Sequence, residues 1–258
     1  MKPCWLYHNL GLGDHLICNA LVRKFAATHS VVRYFIKEHN FESVAFMLRD
    51  LKNIEYKIVN TDTDVQTNLS RIEGENIAQF LVLGDQKNPR NKSFDEIIYG
   101  KSGMAFSERW SQFHFVRDGD RERNLFERLR CPGNYVFVHD DPSRGYSIDT
   151  RLISGNPTII KPNRDLTNVI SDYCLVLEKA NEIHCIDSTF RILTDSIKLN
   201  TNPKLFFHRY ARPASNFAVP KTIKNWATVN KPFLVHWLSK KCRSRIEREN
   251  LESTKGAV

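Results

Sequence analysis

Short apolar runs alternate with stretches of helical spacing along the first third of the chain. Trp5-Leu6-Tyr7 reads as a strand. His8-Asn9-Leu10-Gly11-Leu12-Gly13-Asp14-His15 follows as a tight turn that opens a helix running on through Leu16, Ile17, Leu21 and Arg23. Residues 31–36 are β-branched and aromatic, which predicts a second strand. Phe41, Val44, Ala45, Leu48 and Leu51 recur at helical spacing within 39–51. A third strand is expected over 55–59, a short helix over 64–72 and a fourth strand over 78–83. Strands alternating with helices predict a parallel sheet joined by right-handed crossovers.

The pattern then changes. Residues 86–94 are polar and carry Pro89, so they form a loop; 95–105 reads as a helix interrupted by Gly100, and 107–129 as a longer one rich in aromatic and charged residues. Cys131-Pro132-Gly133 punctuates the chain and is taken as a domain boundary. Beyond it the alternation resumes. Strands are expected over 135–139, 158–161, 182–186 and 205–208, with helices over 169–180 and 190–197. Thr167 or Asn168 is placed to cap the first of these helices. A last helix is expected over 232–250, apolar at first and then basic from Lys240 to Arg245, followed by a disordered tail. The chain therefore divides into 1–131, 132–230 and a terminal helix and tail, 231–258. The fold class is α/β, with two parallel-sheet halves facing each other across a cleft.

Composition narrows this picture only a little. The 258 residues suffice for two domains of ordinary size, and 41% hydrophobic content supplies a core. A net charge of +9, from 38 basic against 29 acidic residues, suits anionic ligands, nucleic acid or an acidic membrane. The basic residues are spread along the chain without a zinc finger or RNA motif, so nucleic acid is not the expected partner. The basic C-terminal helix is the place where peripheral membrane contact would arise, with a solvated face as the ordinary reading. No run approaches the ~18 apolar residues of a membrane span. The cysteines at 4, 18, 131, 174, 185 and 242 form no Cys-x-x-Cys pair and sit partly in apolar runs, as reduced buried thiols do. A cytoplasmic protein is expected, or one of the host cytoplasm if the source is viral.

Chemistry is expected at the strand ends. Gly11 and Gly13 are read as turn glycines with room for backbone angles closed to other residues and for close approach of a ligand. Asp14 stands on this turn, where open α/β sheets place ligands; an acid there is poorly suited to a phosphate and well suited to taking a proton. Gly11-x-Gly13 also begins the dinucleotide fingerprint, with Glu38 as a ribose acid, but Leu16 stands where the third glycine belongs. In the second half, His139 runs into Asp140-Asp141-Pro142-Ser143-Arg144-Gly145. Asp187-Ser188-Thr189 opens a helix whose hydroxyls and free N–H groups form an anion cradle. The Asp140-Asp141 pair invites a metal-binding alternative.

Asn9-Leu-Gly-Leu-Gly-Asp-His, with Arg23 nine residues after the aspartate, resembles the opening of the heptosyltransferase-like glycosyltransferases. His139-Asp-Asp-Pro-Ser-Arg-Gly, His184-Cys-Ile-Asp-Ser-Thr-Phe and the Trp226 region resemble loops of small enzymes from bacterial and viral surface-glycan clusters that share the GT-B fold. The resemblance implies two Rossmann-like domains, an acceptor-side one over 1–131 and a donor-side one over 132–230, with a nucleotide-diphosphate sugar as co-substrate and a glycan as acceptor. It implies an inverting transfer without a metal or other cofactor. Asp14 then matches the general base, with His8 and His15 as weaker bases and His15, Gly11 and Gly13 on the acceptor side. Arg144 is the first choice for the diphosphate, because a guanidinium offers forked donors. Ser188, Thr189 and Asp187 join it, with Lys161 and His139 beside them, Arg209 and Arg212 as weaker cations, and the backbone over 178–182 facing the nucleobase of the donor. A nicotinamide-dependent oxidoreductase and a basic nucleic-acid-binding protein are the competing readings.

Overall fold

Leu6 and Tyr7, both fully buried, lie in a central strand of the first of two parallel sheets. The structure, a computed structural model, describes residues 1–80, 92–212 and 218–230. The expected loop over 86–94 lies mostly outside these residues, and the expected helix over 232–250 and its tail lie wholly outside them.

The first half contains β1 (Cys4–Tyr7), α1 (Leu12–Ile17), α2 (Asn19–Thr28), β2 (Val32–Lys37), α3 (Glu38–Met47), β3 (Ile54–Val59), α4 (Asp62–Leu69) and β4 (Asn76–Gln79). Its strands run parallel in the order β3-β2-β1-β4, as the alternation predicts. The expected fourth strand starts two residues early, at Asn76, and ends at Gln79; Phe80 is outside the strand, and 81–83 fall outside the described residues. Thr61 sets the start of α4 through a reciprocal capping box with Asp64.

The opening helix is not continuous. Cys18 leaves helical geometry at φ −88° and ψ 7°, and the chain restarts as α2. Tyr99 donates its hydroxyl to the Ile17 carbonyl at 2.9 Å, and Asn19 Oδ1 accepts the His114 N–H at 2.9 Å, so the kink is braced by contacts from outside the helix, while Asn19 Nδ2 stays buried without a partner.

α5 (Phe94–Ser102) ends at Gly103, whose φ of 67° is the left-handed helix stop that glycine favours. The long helix expected over 107–129 is two: α6 (Glu108–Ser111) and α7 (Gly119–Arg128). Asp118 accepts the Arg121 N–H as the cap of α7, while Phe115 turns inward ahead of it. A local cap and a buried aromatic outweigh helical periodicity here.

The second half contains β5 (Val136–His139), β6 (Ile159–Ile160), α8 (Cys174–Lys179), β7 (Glu182–Cys185), α9 (Thr189–Ser196), β8 (Lys204–Phe207) and β9 (Trp226–Thr228). All pairs are again parallel, in the order β6-β5-β7-β8-β9. The helix expected over 169–180 starts as a 3-10 turn, Ile170–Tyr173, before α8. Strand order reverses between β5 and β7, which is where doubly wound sheets open a crevice at their carboxyl ends.

The halves share one buried apolar cluster, running from Leu6 and Val32 through Ile98 to Phe137, Ile183 and Leu193. Polar contacts reinforce it. Arg117 pairs with Glu122 and Glu178, Arg121 pairs with Asp172 at 2.8 Å, and Ser43 accepts the Ile170 N–H at 3.1 Å. On α9, buried Asp195 accepts from Trp110 Nε1 and from the Ile223 and Lys224 N–H groups, which tucks 218–224 against the helix. Cys4, Cys18, Cys131, Cys174 and Cys185 are free thiols. Among the described residues no helix is long and apolar enough to cross a membrane.

Candidate active site

The carboxyl ends of β1, β5 and β7 border a cleft of ≈ 1180 Å³ between the two halves. The first half contributes the turn from Asn9 to Asp14 together with Lys37, His39 and Asn40. The second contributes His139 to Arg144, Lys161, Arg164, Asp187 to Phe190 and Arg212. Asp14, Gly11, Gly13, His139, Arg144, Lys161, Asp187, Ser188 and Thr189 thus meet around one space, although the chain separates them by up to 178 positions. His15, Glu38 and the 178–182 backbone are not among the lining residues.

The glycines act differently from what a tight turn suggests. Gly11 has an extended backbone (φ −72°, ψ 144°) open to any residue, and Gly13 lies inside α1. Their value is space. A Cβ at Gly11 would stand 2.5 Å from Asp14 Oδ2, and one at Gly13 would stand 3.0 Å from Ile192 Cδ1 and 3.5 Å from Thr189 Oγ1. Gly11 lets the Asp14 side chain fold back onto the start of its own helix. Gly13 lets the first turns of α1 and α9 touch across the two halves.

Asp14 accepts a hydrogen bond from the Gly11 N–H, which favours its ionised form. Crowding by protein works the other way and wins. Desolvation, followed by the nearby charges of Asp187 and Asp62, raises the carboxyl to about 7, while Arg212 opposes the rise. The side chain is still only partly buried and lines the cleft, so it is shielded and reachable. A carboxyl that titrates near neutrality at the rim of a cleft is fitted to exchange protons with a ligand.

Beneath the turn, His8 and His15 form a buried chain rather than a pair of bases. His8 Nδ1 accepts the Asn9 N–H at 2.7 Å, so its proton sits on Nε2 and is donated to the Tyr34 hydroxyl. Tyr34 donates onward to His15 Nδ1 at 2.6 Å. Burial holds both imidazoles neutral, His8 down at about 4 and His15 well below its ordinary value. With Asn40 Nδ2 donating to the Leu10 carbonyl at 2.9 Å, this chain fixes the loop that carries Asp14. Arg23 has a scaffolding position too: it grips Asp50 with two bonds, at 2.8 and 2.9 Å, and donates to the His114 carbonyl.

On the opposite wall, Ser188 is the N-cap residue of α9, yet its hydroxyl makes no capping bond. Ser188 Oγ is buried without a hydrogen-bond partner; the Cys185 thiol lies close by but forms no well-shaped bond with it. A buried, unpartnered hydroxyl beside the free N–H groups of a helix start leaves donors waiting for an acceptor. His139 packs against Phe190 with ring centroids 4.7 Å apart, has an unpartnered Nδ1 and is held neutral by burial, its pKa down at about 4.

The acidic pair and the two expected cations neutralise each other. Lys161 Nζ bonds both oxygens of Asp140 at 2.9 and 3.1 Å, and Arg144 bonds Asp141 at 2.5 Å, with Ser143 bonding the same carboxylate at 2.7 Å. Asp187 pairs with Arg191 at 2.8 Å. Among the described residues no group of three or more His, Cys, Asp or Glu has the geometry to hold a metal ion. The Glu178 side chain is buried against Arg117 and the Asn200 amide, and the 178–182 backbone, expected to face the nucleobase, is not among the residues that line the cleft. Arg212, a weaker cation in the motif reading, also lines the cleft.

No protein-family model matches the chain, and no curated protein does. Among solved structures the fold is similar to a glycosyl transferase family 9 protein of Veillonella parvula, with a TM-score of 0.49 at 9% identity over 93% of this chain and 91% of that one. It is similar to the ADP-heptose LPS heptosyltransferase II of E. coli, with a TM-score of 0.46 at 8% identity over 90% of this chain and 91% of the other. A third structure is the iron-containing dodecameric glycosyltransferase TibC of enterotoxigenic E. coli, with a TM-score of 0.46 at 13% identity over 80% of this chain and 57% of that one. These neighbours are glycosyltransferases, and the likeness is one of fold. The dinucleotide alternative gains nothing from the site: Glu38 is exposed and is not among the residues lining the cleft, and Asp14 occupies the helix start where a pyrophosphate would sit.

Proposed function

We propose that the protein is a glycosyltransferase that moves a sugar from a nucleotide-diphosphate donor to a hydroxyl of a glycan acceptor. The observation that carries this reading is the contact of α1 with α9. It puts a carboxyl that titrates near 7 on one wall of the cleft and an unpartnered hydroxyl at a helix start on the facing wall. A proton acceptor beside an anion cradle is what such a transfer needs.

In this reading the acceptor oxygen attacks the anomeric carbon and its proton passes to Asp14. The bond from that carbon to the diphosphate oxygen breaks, and its electron pair leaves on the diphosphate. Ser188, Thr189 and the α9 N–H groups take the growing negative charge. Attack from the Asp14 wall, opposite the departing diphosphate, makes the transfer inverting. The reading dispenses with a metal, because Asp140 and Asp141 are already engaged by Lys161 and Arg144.

A hydrolysis screen across nucleotide sugars tests this reading. One donor should be turned over, activity should survive chelator, and NAD should have no effect. Absence of turnover and of thermal stabilisation with every nucleotide diphosphate would remove the assignment.

A further inference from the structure

Arg144 and Lys161 are the cations that the loop motifs bring forward, and both already have carboxylate partners. Arg212 lines the same cleft without any carboxylate bound to it among the described residues. Its Nη1 donates to the Asp187 carbonyl, one residue before Ser188, and its guanidinium lies 5.6 Å from the Tyr146 ring centroid. Its charge also acts on the Asp14 carboxyl across the cleft. Arg212 is therefore linked both to the proton acceptor and to the turn before the helix start, and is held by a carbonyl and an aromatic face with no carboxylate bonded to it among the described residues.

We propose that Arg212, and not Arg144, is the residue that binds the diphosphate of the donor, in concert with Ser188 and the start of α9. The inference rests on the glycosyltransferase reading and adds the identity of the cation. A guanidinium anchored by one nitrogen keeps its remaining N–H groups for phosphate oxygens. Arg144 already shares its charge with Asp141, whose carboxylate would stand beside the same diphosphate and oppose it. Arg164 and Lys37 also line the cleft, but Arg164 lies with Lys161 on the His139 side, and Lys37 lies on the lip of the first half. Among the described residues, Arg191 and Arg212 bond Asp187, and neither Arg164 nor Lys37 does.

The test is calorimetric binding of UDP, GDP, ADP and CDP, each beside its nucleoside, to the full chain and to Arg212→Ala, Arg212→Gln and Arg144→Ala. Wild type should prefer one diphosphate over its nucleoside. Arg212→Ala should weaken that diphosphate about 10–100-fold and leave the nucleoside unchanged, as loss of a charge-assisted phosphate contact does. Arg144→Ala should change it less than about 3-fold, within the small effects of an exposed ion pair. Arg212→Gln keeps a donor for the Asp187 carbonyl and removes the charge. It should show the same loss, and it carries the test if the alanine variant does not melt cooperatively. Unchanged diphosphate affinity in the Arg212 variants, or a larger loss in Arg144→Ala, would overturn the assignment. If wild type bound none of the four diphosphates, the glycosyltransferase reading itself would fall.

Discussion

Gly13 and Thr189 touch across the two halves of the molecule: a Cβ on Gly13 would lie 3.5 Å from Thr189 Oγ1 and 3.0 Å from Ile192 Cδ1. The residue that sequence inspection assigns to a turn is the point where one Rossmann-like half rests on the other. Gly13→Ala asks only the end of the Ile192 side chain to shift, and alanine is the better helix former. Its melting temperature should stay within a few degrees of wild type. Gly13→Val has no such room and should cost about 1–3 kcal/mol through overpacking. Thermal melts of both variants distinguish close packing from a requirement for unusual backbone angles, under which alanine would be as damaging as valine.

Gly11 is coupled to the proposed base rather than to the fold. Its backbone is already in an extended region, so Gly11→Ala introduces no backbone strain. The new methyl would stand 2.5 Å from Asp14 Oδ2, and the carboxyl must swing away from the Gly11 N–H. Turnover should fall at least 10-fold, since small misplacements of a reacting group are costly, while the far-ultraviolet circular dichroism and the affinity for nucleoside diphosphate stay near wild type. A variant with full turnover would show that the carboxyl works from another position.

Asp14 links activity and stability to pH with opposite signs. Its carboxyl titrates at about 7, above the ordinary 3.8, because burial outweighs the Gly11 N–H. As a base it must be ionised, so kcat/KM should rise with pH up to about 7 and then level. For stability, both states are protonated below about pH 4 and the residue costs nothing. Between pH 4 and 7 the unfolded chain releases its proton first, and stability falls as pH rises. Above 7 the whole cost is present, about 2 kcal/mol once the open cleft side is allowed for. Asp14→Asn should therefore lose about 10²–10⁴-fold in turnover, melt several degrees higher than wild type at pH 8, and match it near pH 4. Equal pH profiles of melting for the two proteins would contradict the raised carboxyl.

The strands and the cleft were legible because their signals are local. β-branched and aromatic runs such as Val31 to Ile36, and strand ends rich in glycine, hydroxyl and acid, place Asp14 and Ser188 without any knowledge of tertiary contacts. Pairings between distant residues were not legible. Lys161 reaches Asp140 from 21 positions away, and Glu178 is buried by Arg117 from 61 positions away. Sequence gives the charge of a cation and not what already compensates it, which is why Arg144 and Lys161 looked available. The Arg144 pairing with Asp141 at i, i+3 was the exception that spacing alone offered. The kink at Cys18 left no trace because it is sustained by Tyr99 and by the backbone of His114.

Ser188 separates structural from ligand-binding use of a hydroxyl. An N-cap serine that bonds its helix costs about 1 kcal/mol when cut back to alanine. Here the hydroxyl is buried, makes no capping bond and has no partner. Ser188→Ala should therefore leave the melting temperature of the ligand-free protein unchanged or slightly raised, since an unsatisfied polar group is removed. In complex the balance reverses: loss of a hydrogen bond to the diphosphate should weaken nucleoside diphosphate binding about 5–10-fold. Melting and calorimetry on one preparation read both quantities. A lower melting temperature with unchanged affinity would return Ser188 to the ordinary role of a cap and leave the α9 amides as the sole donors on that wall.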